Sequence, residues 1–345
     1  MIFDKFLGLF SNDLAVDLGT SNCRVFISGQ GVVLSEPSLV AIEKDARGVP
    51  NVLEIGTRAK EMLGRTPPGV DVVAPLKDGA IDNFDVTSAM LRYFFTKAHS
   101  RRMLVSPRAV ISVPYGLSQV ARRVVKDAAE SAGARDVQLI EKPMASAIGT
   151  GLPIGEPAGN MIVDIGGGTT EVAIISLFGI AKCTAVRTGG DKMDEAIIEH
   201  VKRTHNLNIG KPTAESVKCT IGNAMDMGED YVMEIRGSDV VSERPRIVEV
   251  TSDEIREALA GPVNDILAAI NGAFINTQPE LRGDILNNGI MLVGGGSNLR
   301  HLAELIRREL KLSPILFDRP FDAAVLGAGQ VLDDPRLMAK VAVSA

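Results

Sequence analysis

Apolar residues arrive in short blocks separated by glycine, proline and polar clusters, the cadence of alternating strands and helices. Leu14-Ala15-Val16-Asp17 predicts a short buried strand. After Leu18-Gly19-Thr20-Ser21-Asn22 a second strand, 24–28, returns with almost no loop, which makes a β-hairpin with a small-residue tip. Strands follow at 37–42 and 52–55, and helical periodicity predicts a helix over 86–99. The apolar run 109–113 stops at Pro114, and Ser118 caps a helix to about Ala132, closed by Gly133. A strand at 137–140 leads to a helix beginning at Pro143 and reaching Gly149.

The opening pattern then recurs. Asn160-Met161-Ile162-Val163-Asp164 is again a strand ending in Asp, Ile165-Gly166-Gly167-Gly168-Thr169-Thr170 is again a turn of small residues, and 171–176 returns as a strand. A strand–Asp–x–Gly–small–Thr–strand pattern present twice is an internal repeat and predicts two similar halves. No long linker or low-complexity tract separates them, so they are expected to pack with a cleft between. The second half continues with a helix over 194–204, a polar segment over about 205–245 and a helix over 252–275. A strand over 289–293, the run Gly294-Gly295-Gly296-Ser297 and helices over 299–310 and 323–332 complete the chain.

Composition narrows the class. A 345-residue chain that is 45% apolar and 23% charged is neither disordered nor collagen-like. Lys+Arg 37 against Asp+Glu 43 gives −6, so no partnership with nucleic acid is expected. Cys23, Cys183 and Cys219 are scattered and form no C-x-x-C, which argues against a disulfide framework or a zinc site and fits a reducing cytosol. No continuous apolar run approaches the ~18 residues that span a bilayer. A soluble, cytoplasmic, multi-domain chain is expected.

The first ten residues stand apart. On a helix Ile2, Phe3, Phe6, Leu7, Leu9 and Phe10 segregate to one side, with Asp4, Lys5 and Gly8 on the other. Such a segment suits the headgroup boundary of a membrane, although docking onto the protein's own core would use the same pattern. One short helix is a marginal anchor, so stable attachment would need many copies acting together.

Each Asp–x–Gly turn places backbone N–H groups and a hydroxyl at a tight tip, where glycine lets them converge on an anion. Two such turns facing each other would clamp a polyphosphate. Asp17 and Asp164 at the strand ends would hold the waters of a Mg²⁺, which keeps several waters beside phosphates. Neither G-x-x-x-x-G-K-[ST] nor G-x-G-x-x-G is present at these turns.

Asp17-Leu18-Gly19-Thr20, Asp164-Ile165-Gly166-Gly167-Gly168-Thr169-Thr170-Glu171 and Gly294-Gly295-Gly296 resemble the phosphate 1, phosphate 2 and adenosine motifs of the actin, sugar-kinase and heat-shock-chaperone ATPase superfamily. Within it the chain is most similar to the MreB family of bacterial actins. Leu63-Gly64-Arg65-Thr66-Pro67, Pro143-Met144-Ala145 and Gly189-Gly190-Asp191-Lys192-Met193-Asp194-Glu195-Ala196-Ile197 carry the likeness further, over about 11–335. The resemblance implies an α/β, actin-like ATPase fold of two duplicated ribonuclease-H-like halves and four subdomains around a nucleotide cleft. These would be IA (12–34, 79–144 and 318–345), IB (35–78), IIA (145–181 and 247–317) and IIB (182–246), behind a membrane-binding segment at 1–11.

It also implies ATP with Mg²⁺ as the ligand and head-to-tail protofilaments paired antiparallel. The expected setting is the inner face of the cytoplasmic membrane, with RodZ, MreC and MreD as partners. Thr20, Ser21 and Asn22 resemble the first phosphate loop, beside Gly19, and Gly166, Gly167 and Gly168 the second. Gly190, Asp191 and the run Gly294, Gly295, Gly296, Ser297 and Asn298 count as nucleotide-binding positions with them. Glu215 and Lys218 match the family's Glu-x-x-Lys pair, which contacts the nucleoside; on a helix the i and i+3 heads reach one ligand. Membrane contact is assigned to Ile2, Phe3, Phe6, Leu7 and Phe10, and to a second apolar element at Met103 and Leu104, flanked by Arg101 and Arg102.

One position departs sharply. The family has Glu immediately before the proline of its connecting helix, where it positions the attacking water; this chain reads Glu141-Lys142-Pro143. A charged lysine cannot accept a proton, and loss of a general base typically costs about 10²–10⁴-fold. Glu141 should point to the opposite face. Thr169, which orients the water in the family, is retained. Cys23 and Thr220 replace the usual Thr and Glu. The chain is therefore expected to bind ATP and hydrolyse it slowly. A small-molecule kinase of the same superfamily and a hydrolysis-poor co-polymer of an active MreB are the alternatives. A chaperone-type switch is disfavoured by the lack of a peptide-binding domain.

Overall fold

Leu14–Leu18 is buried along its whole length because it runs through the middle of a sheet. Asn22–Ile27 flanks it antiparallel and Arg108–Val113 flanks it parallel. The protein is described by a computed structural model covering residues 13–44, 48–77, 80–99, 106–228 and 230–344. Ile2, Phe3, Phe6, Leu7, Phe10, Met103 and Leu104 lie outside the described residues.

The first large sheet has the strand order Ala342–Val343, Asp136–Glu141, Arg108–Val113, Leu14–Leu18, Asn22–Ile27, Gly31–Pro37. The second has the order Gly179–Val186, Thr170–Ser176, Asn160–Ile165, Ile290–Val293, Pro314–Leu316. Apart from the short Ala342–Val343 strand, both read third, second, first, fourth, fifth in order of appearance, the first sheet taken from its Gly31–Pro37 edge and the second from its Gly179–Val186 edge. In both, the fourth strand is parallel to the first and the fifth to the fourth. The sequence repeat is thus a repeat of topology. Its shared centre is the strand that carries the acid next to its end, Asp17 in one sheet and Asp164 in the other. Ligands of open α/β sheets bind outside the carboxyl ends of such parallel strands.

The contacts divide the chain into two units. One comprises the described residues up to Ala158, Ile175–Ala181 and those from Phe321 on; its core includes Leu14, Val16, Met90, Phe94, Phe95, Ile111 and Leu139. The other comprises Gly159–Ile174 and Lys182–Pro320, with Val163, Ile174, Ile197, Leu259, Ile266 and Leu292 in its core.

Several elements follow the apolar period closely. Asn83 accepts from the Val86 amide at 3.1 Å to start the helix Phe84–Ala98, and Ser118 accepts from the Ala121 amide at 3.2 Å to start Gln119–Ser131. Ser252–Ile275 begins with a reciprocal capping box between Thr251 and Glu254. By length and composition alone that helix could cross a membrane. However, Ile255, Leu259, Val263, Ile266, Ile270 and Ala273 recur at helical spacing on one buried face, while Asp253, Arg256, Glu257 and Asp265 lie off it. It is the core helix of its unit.

Other elements differ from the sequence expectation. The segment 205–245 contains the helix Lys211–Ile221 and the strand Val232–Asp239. Their burial rests on a few residues, Ala214, Val217 and Ile221 on the helix and Ile235 on the strand, among many polar neighbours. The helix expected at 194 begins at Gly190, because its first amides find tertiary acceptors. The helix expected over 299–310 is a short 3₁₀ turn, Gly295–Asn298, followed by Leu302–Leu310, with His301 between them in the left-handed region at φ 60°.

Candidate functional site

The first unit carries an acidic strand end and a tight turn. A side chain on Gly19 would lie 2.5 Å from the Asn22 carbonyl, so the turn closes only with glycine there. Ser38 ties the turn down, its hydroxyl donating to the Gly19 carbonyl at 2.6 Å and its amide to Ser21 at 3.0 Å. Thr20, Ser21 and Asn22 remain half-buried at the tip.

Asp17 is 3% exposed. Ser112, its neighbour in register on the parallel strand, donates to Oδ1 at 2.7 Å. The Lys142 ammonium lies 3.7 Å from the same oxygen. Lys142 opens the helix Lys142–Gly149 where the strand Asp136–Glu141 ends. Glu141 turns elsewhere, toward Arg122 at 3.5 Å. Burial raises its carboxyl above the usual range, opposed by the Gly116 amide and Arg122. The expectation that Glu141 and Lys142 face apart holds. Cys23 is wholly buried among core residues, and burial pushes its thiol far up, so it packs and stays protonated.

The second unit gathers four of the sequence motifs. Asp164, 4% exposed, lies near the end of its strand, and the turn Gly166, Gly167, Gly168 and Thr169 follows. The Gly166 amide donates to Thr169 at 2.9 Å and closes the turn. The amides of Gly190 and Asp191 donate to the Gly166 and Gly167 carbonyls at 3.0 and 2.8 Å, so the helix Gly190–His205 starts directly on the turn. A side chain at Gly189 would lie 2.5 Å from the Gly166 carbonyl, which explains the first glycine of that motif.

Gly294, at φ 81°, packs over the same strand end, where an added Cβ would lie 2.6 Å from an Asp164 oxygen. The Ser297 hydroxyl donates to the Gly294 carbonyl at 2.6 Å, holding the Gly295–Asn298 turn against Ile165. Lys218 reaches the Gly190 carbonyl at 2.9 Å and Asp194 at 2.7 Å. Asp191 pairs with Lys211 at 2.6 Å. Glu215 lies close enough to Asp194 to raise its pKa.

One residue in each unit escaped the sequence reading. Ser112 is a hydroxyl inside the apolar run 109–113, and Asp194 is an acid on the face of its helix that buries Met193, Ile197 and Val201. A lone polar residue in a buried period was the available signal in both. Among the described residues no three His, Cys, Asp or Glu side chains gather to hold a metal. A Mg²⁺ here would have to keep most of its own waters, as it does beside phosphates.

Comparison with known proteins gives a consistent picture. The family model described as MreB/Mbl protein matches residues 11–340. The chain is 46% identical over 331 residues to the cell shape-determining protein MreB of Escherichia coli K12, covering 95% of each. It is 39% identical over 326 residues to the cell shape-determining protein Mbl of Bacillus subtilis, covering 94% of this chain and 97% of that one. The crystal structure of MreB5 of Spiroplasma citri bound to ADP superposes with a TM-score of 0.88 at 31% identity, over 94% of this chain and 97% of the other. The same protein bound to AMPPNP superposes equally well, covering 94% and 96%.

Proposed function

The chain belongs to the MreB/Mbl family, and on that premise we propose that it binds ATP and assembles into membrane-attached filaments that organise cell shape and wall synthesis, with hydrolysis slowed by Lys142. Its fold is the actin-like α/β fold. Nucleotide binding is supported by the neighbour solved with ADP and with AMPPNP. It is supported too by the chemistry of the turns, glycine-lined tips next to buried acids. In this reading Gly19, Thr20, Ser21 and Asn22 and the turn Gly166–Thr169 supply phosphate donors. Glu215, Lys218 and the Gly294–Asn298 run meet the nucleoside.

The observation that carries slow hydrolysis is Lys142 at 3.7 Å from Asp17. The position that should hold a proton acceptor for water holds an ammonium engaged with an acid. Phosphoryl transfer relies largely on positioning and charge, so the remaining groups, Thr169 among them, leave a residual rate. Mg²⁺, if carried with the nucleotide, would neutralise phosphate charge through waters on Asp164 and Asp17. The fit is uneven, since Asp17 is already compensated by Lys142 and Ser112.

Membrane attachment through residues 1–11 and Met103-Leu104, a place on the inner face of the cytoplasmic membrane, antiparallel protofilament pairs, the four-subdomain division and partnership with RodZ, MreC and MreD complete the proposal. Electron microscopy of the purified chain on lipid monolayers, with ATP and with ADP, tests it. Ordered filaments on lipid with ATP are expected. Bound ATP without filaments in any condition would favour a kinase or an obligate co-polymer instead.

A further inference from the structure

Lys142 is held where it is by covalent and tertiary constraints. Pro143 fixes the first turn of its helix, and Pro143, Met144 and Ala145 are all buried. The preceding strand is in parallel register with Arg108–Val113, Ile140 facing Ser112 and Glu141 facing Val113. Alternation at the strand end sends Glu141 to Arg122 and Lys142 to Asp17. The side chains of Lys142 and Asp17 are 22% and 4% exposed, so little water screens the pair.

A dication in a phosphate site works by placing positive charge between phosphate oxygens and protein carboxylates. At Asp17 that charge is already present as an ammonium, and Ser112 occupies the same carboxylate oxygen. A compensated carboxylate attracts Mg²⁺ less. Mg²⁺ brought beside the ammonium meets a like charge in a poorly screened setting. The ammonium also carries three N–H donors suited to phosphate oxygens.

We infer that Lys142 takes over part of the metal's role at this site, so that ATP binding by this chain depends only weakly on divalent cations. The inference rests on the ATP-binding reading and names its cation requirement.

Calorimetric titration of the nucleotide-stripped full chain with ATP, in Mg²⁺ and in excess EDTA, tests it, with Lys142→Glu and Lys142→Met as variants. The wild type should lose less than about tenfold in affinity on removing Mg²⁺, and both variants about a hundredfold or more, regained with Mg²⁺. Lys142→Met keeps the stem and removes only the charge, so it decides the matter if thermal denaturation shows Lys142→Glu to be unfolded. Equal sensitivity to EDTA in wild type and Lys142→Met would overturn the inference, whether both keep or both lose affinity. Absence of ATP binding by the wild type in either condition would instead overturn the nucleotide reading itself.

Discussion

Asp194 and Lys218 form an ion pair of 2.7 Å inside the second unit, with Asp194 only 3% exposed. The Asp194 carboxyl is raised to about 6, chiefly by burial, with Lys218 opposing the rise and Glu215 and Asp191 adding to it. Its ordinary value is 3.8. A carboxyl whose folded pKa is raised contributes its stability fully below the unfolded value and loses it as pH rises through the folded one. Asp194→Asn, which cannot ionise, should therefore gain in Tm relative to wild type between about pH 4 and about pH 7. A Tm difference that stays flat across that range would mean that Asp194 titrates as an ordinary aspartate.

Restoring the acid at position 142 should restore turnover. Lys142→Glu is expected to raise multiple-turnover phosphate release in Mg²⁺ by about tenfold or more, within the span a general base supplies. Thr169→Ala in that background should remove the gain. The proposal of slow hydrolysis fails if the wild type already releases phosphate at the rate of an ordinary MreB and loses it with Thr169→Ala.

The helix that carries Lys142 crosses Ala323–Asp333 backbone against backbone. A Cβ on Gly149 would collide with the Ala323 carbonyl, and one on Gly327 with the Ala145 carbonyl. Backbone cannot yield as a flexible side chain does, so Gly327→Ala should cost about 1–3 kcal/mol. Chemical denaturation reads this as a lower midpoint at unchanged slope. Gly261→Ala, where an added Cβ meets nothing within 4 Å, serves as the control.

Thr251 starts the core helix of the second unit. Its hydroxyl accepts from the Glu254 amide at 3.3 Å, and the Glu254 carboxylate accepts from the Thr251 amide at 3.4 Å. Thr251→Ala should destabilise by about 1 kcal/mol, while Thr251→Ser keeps the cap and most of the stability. Equal denaturation midpoints for the two variants would deny the cap its role.

Much of the candidate site was legible because short-range chemistry dictates it. Glycine beside a strand-ending aspartate has few uses, and its recurrence at Asp17 and Asp164 marked two similar halves. Lys142 stood out because the residue type itself contradicts proton acceptance. The contacts of Asp194 and Ser112 with Lys218 and Asp17 were not legible, since a polar residue in an apolar run declares a burial problem without naming its partner. Glu215 and Lys218 were placed by motif. Only the folded chain shows the Lys218 head on Asp194 and the Gly190 carbonyl.

By itself the sequence determined the elements whose period or capping is strong, such as Phe84–Ala98, Gln119–Ser131 and Ser252–Ile275, and the chemistry of the glycine turns. Local terms govern these: apolar spacing, a capping hydroxyl, freedom from a Cβ. The tertiary structure decided where Gly190–His205 begins, because its first amides are satisfied by carbonyls from Gly166 and Gly167. It also decided that a polar stretch around Lys211–Ile221 would fold, because a few apolar contacts with a distant core outweigh its composition. And it decided that Lys142 faces Asp17, since an ion pair between residues so far apart in the chain exists only once two strands and a helix have fixed both ends.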